Sequence, residues 1–178
     1  METNLYTSTV EPMMKKLSAL SHLLDKVGTH AQSKQLEWHP AGMQEDALLQ
    51  SRLISDQFPF IRQVQIACDN AKNGIARLAE VEAPQFEDVE KTVAELKTRI
   101  EKTLAFLKTL KPEQVIGKEN VKVTLAYWGG KSMSGIDYVN NYLIPNFYFH
   151  LTTAYSILRK NGVNLGKGDF MGELPLKD

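Results

Sequence analysis

Apolar residues recur along four stretches of the chain at intervals of three and four. The first carries Val10, Met13, Leu17, Leu20, Leu24 and Val27, and the second Ile61, Val64, Cys68, Ala71, Ile75 and Leu78. The third carries Val89, Val93, Leu96, Ile100, Leu104, Leu107 and Leu110, and the fourth Leu143, Phe147, His150, Ala154 and Ile157. Such spacing lays one apolar stripe along each helix, and a stripe is buried only against other stripes. Helices of about 20 residues run ~30 Å, and four of matched length hide their stripes together in a bundle. The pattern predicts an all-α fold, an antiparallel four-helix bundle forming one domain over residues 1–178.

Residues at the ends of these stretches fit the same reading. Asp56 and Pro59 suit the start of the second helix as cap and first-turn proline. Glu87, Asp88 and Glu90 suit the first turn of the third, and Lys108 and Lys111 its end. Glu87 with Lys91 and Glu95 with Arg99, each at i,i+4, predict a solvated outer face there. Pro112 stops that helix, and Gly162 ends the fourth as a left-handed cap. Residues 31–56 form a long crossover holding Trp38-His39-Pro40 and a short helix around Asp46–Leu49. From 112 to 136 the period falls to two: Val121, Val123, Leu125 and Tyr127 alternate with polar or small residues. With a turn at Trp128–Lys131 and a return over Ser132–Ser134, this predicts a small β-hairpin before the last helix. Ser134-x-x-Asp137 has capping-box form, and Pro145 marks a kink or restart.

Composition narrows the function. Apolar residues make up 43% and charged residues 24%, values of an ordinary globular chain. Lysine plus arginine equals aspartate plus glutamate at 21 each, so no excess charge draws the chain to nucleic acid or an anionic membrane. Arg159, Lys160 and Lys167 cluster at the end of the last helix, where they complement its dipole. The lone Cys68 permits no internal disulfide. The N-terminus lacks the pattern of a signal peptide, and no apolar run approaches the ~20 residues of a membrane span. The expected location is the cytoplasm.

The chemistry-bearing motifs are sparse. Gly162-Val-Asn-Leu-Gly166-Lys167-Gly168 fails as a phosphate loop: the glycine spacing is short, no Ser or Thr follows Lys167, and the segment leaves a helix. It reads as a C-terminal extension packed on the bundle. Cys68, in an apolar stripe, reads as an inert thiol. Hydrolase, zinc-protease, redox and dinucleotide signatures do not occur. His22 lies on a polar face with Lys15 and Ser18, while His30 and His39 fall at or beyond the end of the first helix. His150 is different because it sits within an inward stripe. Gln65 and Asp69, at i,i+4 beside the second stripe, are placed to face it, and a carboxylate partner would fix the ring's tautomer. A structural polar contact, a small-ligand site and a metal ligand all remain open for that imidazole. Tyr148, Tyr155 and Trp128 are available to line a cleft. The candidate ligand-binding set is His150, Asp69, Gln65 and Tyr155; no cofactor or metal site is expected, and the residues assign no catalytic set and leave enzymatic activity open.

Two blocks add a resemblance. Phe58-Pro-Phe-Ile-Arg-Gln-Val-Gln-Ile-Ala-Cys-Asp69, and Pro145-Asn-Phe-Tyr-Phe-His-Leu-Thr-Thr-Ala-Tyr155 running on through Ile157-Leu158-Arg159 to Asn161-Gly162-Val163, resemble an uncharacterised domain-of-unknown-function family of the DinB-like superfamily. Leu165–Phe170 and Gly172 extend the likeness. It implies an up-and-down bundle with a longer crossover, frequently dimeric. Better-known members of the superfamily hold a divalent metal with three histidines, one from helix two and an H-x-x-x-H pair from helix four. Some act as thiol-dependent transferases or isomerases. Here Asn146 and Ala154 flank His150 at i−4 and i+4, and the second helix has no histidine, so any such site would be degenerate. Three functions follow: a small-molecule-binding module, a homodimeric scaffold using apolar surface on the hairpin and tail (Leu165, Phe170, Met171, Leu174), or an atypical metal-dependent transferase.

Overall fold

A computed structural model describes residues 3–37, 39–40 and 42–176. The chain is mostly helical, with one small two-stranded antiparallel sheet. Its long helices are α1 (Glu11–Lys34), α3 (Phe60–Ala79), α4 (Val93–Thr109) and α6 (Ile144–Lys160). The short α2 (Met43–Gln50) lies in the connection between α1 and α3. Trp38, in the same connection, lies outside the described residues. No helix among the described residues is long and apolar enough to cross a membrane.

α3 is the central element, packing on α6 and α4 along its length and touching α2. Its whole predicted stripe, from Ile61 to Leu78, is buried. The stripe of α1 is buried as well, against α4, α2 and α6. Gly74 lets α3 and the segment before α6 approach closely, since a Cβ there would lie 2.2 Å from Leu143 Cδ1. Deleting the apolar side chains along such a seam typically costs 2–5 kcal/mol each.

Two helix starts differ from expectation. Asp56 does not cap α3: Pro59 is its extended N-cap, and the amide of Phe60 donates to Ser51 O at 2.8 Å. α4 begins at Val93 rather than near Glu87. Thr92 closes a capping box with Glu95, Glu95 N donating to Thr92 Oγ1 at 3.2 Å and Thr92 N to Glu95 Oε2 at 3.0 Å. That reciprocal pair satisfies two otherwise orphaned donors, so the helix starts there. Residues 81–91 then run outside the helix, and Val89 is 64% exposed instead of joining the stripe.

After α4 the chain forms β1 (Lys122–Thr124) and β2 (Ser132–Ser134), with Val123 opposite Met133. Ser134 caps α5 (Gly135–Tyr138) by accepting from Asp137 N at 3.2 Å. A π-helical turn over Val139–Leu143 joins α5 to α6 without a break, and Pro145, which has no N–H to donate back along the helix, follows directly on that widened turn. Gly162, at φ 82°, ends α6 as a left-handed cap. The glycine-rich tail then forms α7 (Lys167–Met171) against α1, held by Lys26 Nζ to Asp169 at 2.7 Å and Lys16 Nζ to Met171 O at 2.9 Å. Leu165 is buried there and Phe170 half-buried, so part of the apolar tail is already covered by the chain's own core.

Candidate functional site

α3 carries two polar stripes on different sides, and they divide the candidate residues between them. On the side facing α4 lie Arg62, Gln65, Asp69 and Lys72, at intervals of three and four. Arg99 of α4 reaches into this stripe. It is only 2% exposed, the reverse of the solvated i,i+4 partner that its spacing from Glu95 predicted. Its Nη2 lies 2.9 Å from Asp69 Oδ1 and from Asp88 Oδ1. Its Nη1 donates to Glu90 Oε1 at 2.9 Å and Glu87 O at 3.0 Å. Gln65 Nε2 donates to Glu90 Oε2 at 2.8 Å, and Arg62 donates to Asp88 and to Gln65 Oε1. Lys72, equally buried, donates to Pro84 O at 2.5 Å, lies 3.6 Å from Asp69 and sits 4.0 Å from the centroid of the Phe86 ring. The Arg99 guanidinium carbon is 5.6 Å from the same ring.

Three cations (Arg62, Lys72, Arg99) therefore face three carboxylates (Asp69, Asp88, Glu90). Burying charge is tolerable only when it is paired and hydrogen-bonded, and each of these six groups has an opposite charge in contact. The acids that local spacing assigned to the first turn of α4 instead fold back onto Arg99 and clasp residues 84–90 to the two helices. Cys68 lies behind the clasp, where burial pushes its thiol up to about 12, consistent with an inert core group.

The other stripe faces α6 and carries no charge. Asn146 Nδ2 donates to Asn70 Oδ1 at 3.0 Å. Nearer the start of α3, the buried Gln63 meets His150: its Oε1 lies 2.7 Å from Nδ1, while its Nε2 donates to Phe58 O at 3.0 Å. These contacts fix the proton. A flipped amide would set Gln63 Oε1 against the Phe58 carbonyl, so the amide oxygen faces the ring and Nδ1 must carry the hydrogen. Nε2 is then a bare lone pair. Among the described residues it has no protein partner, and it is not one of the fully buried atoms left unpaired, so it is not sealed from solvent. Burial, helped by the Arg62 charge, holds the imidazole down at about 4, which leaves it neutral at physiological pH.

The expected pairing of His150 with Asp69 is thus corrected. Asp69 belongs to the Arg99 clasp, because a carboxylate beside a buried guanidinium and a buried ammonium is held far more strongly than beside a neutral ring. Gln65 belongs to the same clasp. Tyr155 lies apart from both, edge-to-face with Phe170 at 5.6 Å. Gln63, absent from the expected set, is the residue that orients His150; its one sequence signal is a polar side chain immediately before stripe residue Val64.

A family model described as a domain of unknown function (DUF1993) matches residues 5–171. The chain belongs to the DUF1993 family. It is also 41% identical to a DinB family member protein from Shewanella denitrificans of known crystal structure, with a TM-score of 0.89 over 98% of this chain and 95% of that one. No curated protein matches. The wider DinB-like resemblance makes a metal centre near His150 the natural test for this DUF1993 chain, and the donors do not fit one. The side chains that meet on this seam with His150 are the amides of Gln63, Asn70 and Asn146, and no group of three or more His, Cys, Asp or Glu among the described residues could hold a metal ion. A catalytic metal generally needs about three such donors.

Proposed function

We propose that this DUF1993 protein is a small-molecule-binding module whose recognition group is Nε2 of His150, built on an antiparallel four-helix bundle with residues 35–59 as its crossover and acting in the cytoplasm. One observation carries the reading: the relay from Phe58 O through Gln63 to His150. It holds a neutral imidazole in one tautomer and turns its only acceptor outward, a pre-organisation that a purely structural contact does not require. A bare ring nitrogen of low basicity accepts a hydrogen bond rather than a proton. The ligand is therefore a neutral hydrogen-bond donor, an alcohol, phenol or amide N–H, with an apolar body to lie beside the Phe149 ring, which stands 5.2 Å from the imidazole. Asp69 and Gln65 stiffen the α3 wall through the clasp instead of touching the ligand.

Phenol and anisole test this, since they share a ring and differ in the donor. Phenol is expected to perturb the His150 Nε2 nitrogen resonance saturably and to raise the melting temperature, while anisole does neither. Equal responses to the two compounds, or none to phenol, would remove the proposal.

A further inference from the structure

Tyr148, Thr152 and Ser156 follow one another along α6 at intervals of four, which sets three hydroxyls on one face over about 12 Å of helix. All three line a single depression of about 480 Å³, walled on the other side by Leu53 and Gln57 of the loop before α3. That volume is within the range of small-molecule sites.

The polar groups of this depression are not spent on the protein. Thr153, at its edge, shows what a helical hydroxyl ordinarily does, donating to Phe149 O, four residues back, at 2.8 Å. Among the described residues the hydroxyls of Tyr148, Thr152 and Ser156 meet no protein partner. Gln57 is further from ordinary. Its Oε1 is sealed from solvent yet accepts no hydrogen bond. Buried polar atoms are nearly always bonded, so each exception asks for a reason.

The loop wall is fixed in place. Lys160 Nζ donates to Arg52 O at 2.9 Å and to Leu53 O at 3.3 Å. Asn161 Nδ2 donates to Ser51 Oγ at 2.8 Å. Lys160 thus serves the loop backbone, beyond the dipole complementation its position suggested. The backbone of Gln57 is held on both sides, its amide donating to Ile54 O at 3.1 Å and its carbonyl accepting from the Arg52 guanidinium. Polar groups held in position before a ligand arrives spare it the cost of ordering them.

The lining defines the ligand. Among the described residues no charged side chain lines the depression, so nothing in it calls for an ion. A hydroxyl both donates and accepts, and three of them beside a carboxamide are best answered by several hydroxyls at once. Leu53, 38% exposed, and Phe149, 53% exposed, add apolar surface within the same depression. Hydroxyls around an edge and C–H groups on the faces are the chemistry of a sugar ring. A plain alcohol or an aromatic molecule would cover Phe149 and leave most of the hydroxyl row unanswered.

We infer that this depression binds a neutral sugar, its ring resting on Phe149 and Leu53. One sugar hydroxyl donates to Gln57 Oε1, and others exchange hydrogen bonds with Tyr148, Thr152 and Ser156. The site is distinct from His150, which does not line it, although the Phe149 ring borders both.

The side-chain amide resonance of Gln57 in the full chain reads this site directly, whatever phenol does at His150. The probes are the methyl glycosides of glucose, galactose, mannose and N-acetylglucosamine, with tetrahydropyran as the same ring without hydroxyls. At least one glycoside is expected to shift the Gln57 resonance saturably below 50 mM, and tetrahydropyran to leave it unmoved. Gln57→Leu, Thr152→Val and Phe149→Ala, followed through the Ser156 amide, should each weaken that glycoside about tenfold, the size of one lost contact. Gln57→Leu removes an acceptor that has no partner, so its urea midpoint should not fall; that separates lost binding from lost folding. No saturable shift with any of the four glycosides, an equal response to tetrahydropyran, or unchanged affinity in Gln57→Leu would overturn the inference.

Discussion

The two polar seams of α3 sit on one helix, a third of a turn apart, and treat polar groups in opposite ways. Toward α4 two full positive charges, Lys72 and Arg99, are buried, and each of the six charged groups there meets an opposite charge. Toward α6 it buries neutral amides and one neutral imidazole, and there a single acceptor is left facing outward. Arg99 is more deeply buried and more heavily bonded than His150, and in a list of conspicuous residues it would come first. Its bonding is the reason it reads as structural. A guanidinium whose terminal nitrogens are held by the protein's own oxygens, and whose remaining Nε is sealed in the interior, has little left to offer a ligand, whereas the Gln63 relay consumes one side of His150 in order to aim the other.

The contrast can be broken at its strongest point. Arg99→Met keeps the volume and removes the charge, leaving the half-buried Asp69 and Glu90 without their main partner. Breaking a buried pair in this way costs about 3–5 kcal/mol. Urea unfolding should show a loss of that size with the slope unchanged, and a loss under about 1 kcal/mol would mean the clasp is not structural. The relay is expected to matter less. Gln63→Leu leaves the Phe58 carbonyl and the His150 Nδ1–H without partners, worth about 1–3 kcal/mol in the same experiment, and it should also free the imidazole to sample its other tautomer. The smallest effect is one of pH. His150 is held at about 4 in the folded chain, against an ordinary value near 6.5. Between those values the unfolded chain binds the extra proton, so the contribution of His150 is fully present above about 6.5 and is lost progressively as the pH falls toward 4. The quantity to measure is the difference between wild type and His150→Leu in urea midpoint at pH 7 and at pH 4.5, which isolates the contribution of this one ring. That gap should narrow or reverse in favour of the variant at the lower pH. A constant gap would show that His150 is not held neutral.

Much of this fold was legible in the sequence because its causes are local. The stripes of α1, α3 and α6 and the alternation around Val123 each report burial within a few residues of themselves, and Gly162 announces a cap by its position. The start of α4 was legible too, in Thr92-x-x-Glu95, but the acids at 87–90 offered a competing helix start at Glu87, six residues before Val93. Once the box is recognised those acids leave the helix, and Arg99 lies in register with Leu96, Thr103 and Leu107 at intervals of three and four, an inward position. The partner of His150 was a different problem. Gln63, Gln65 and Asp69 all flank the buried stripe of α3. Which of them meets α6 depends on how two helices are rotated about their own axes, and that is decided by packing far from any of them, including the close approach of Leu143 to Gly74.

The claim on which the site rests is that Gln63 holds His150 neutral with its hydrogen on Nδ1 and its lone pair on Nε2. Nitrogen-15 spectra of the side-chain imidazoles of the ligand-free protein, assigned with His150→Leu, read this directly. The account predicts a neutral ring at pH 7, protonated at Nδ1 and bare at Nε2, that remains neutral at pH 5. A ring protonated at Nε2, or an imidazolium at pH 7, would contradict it.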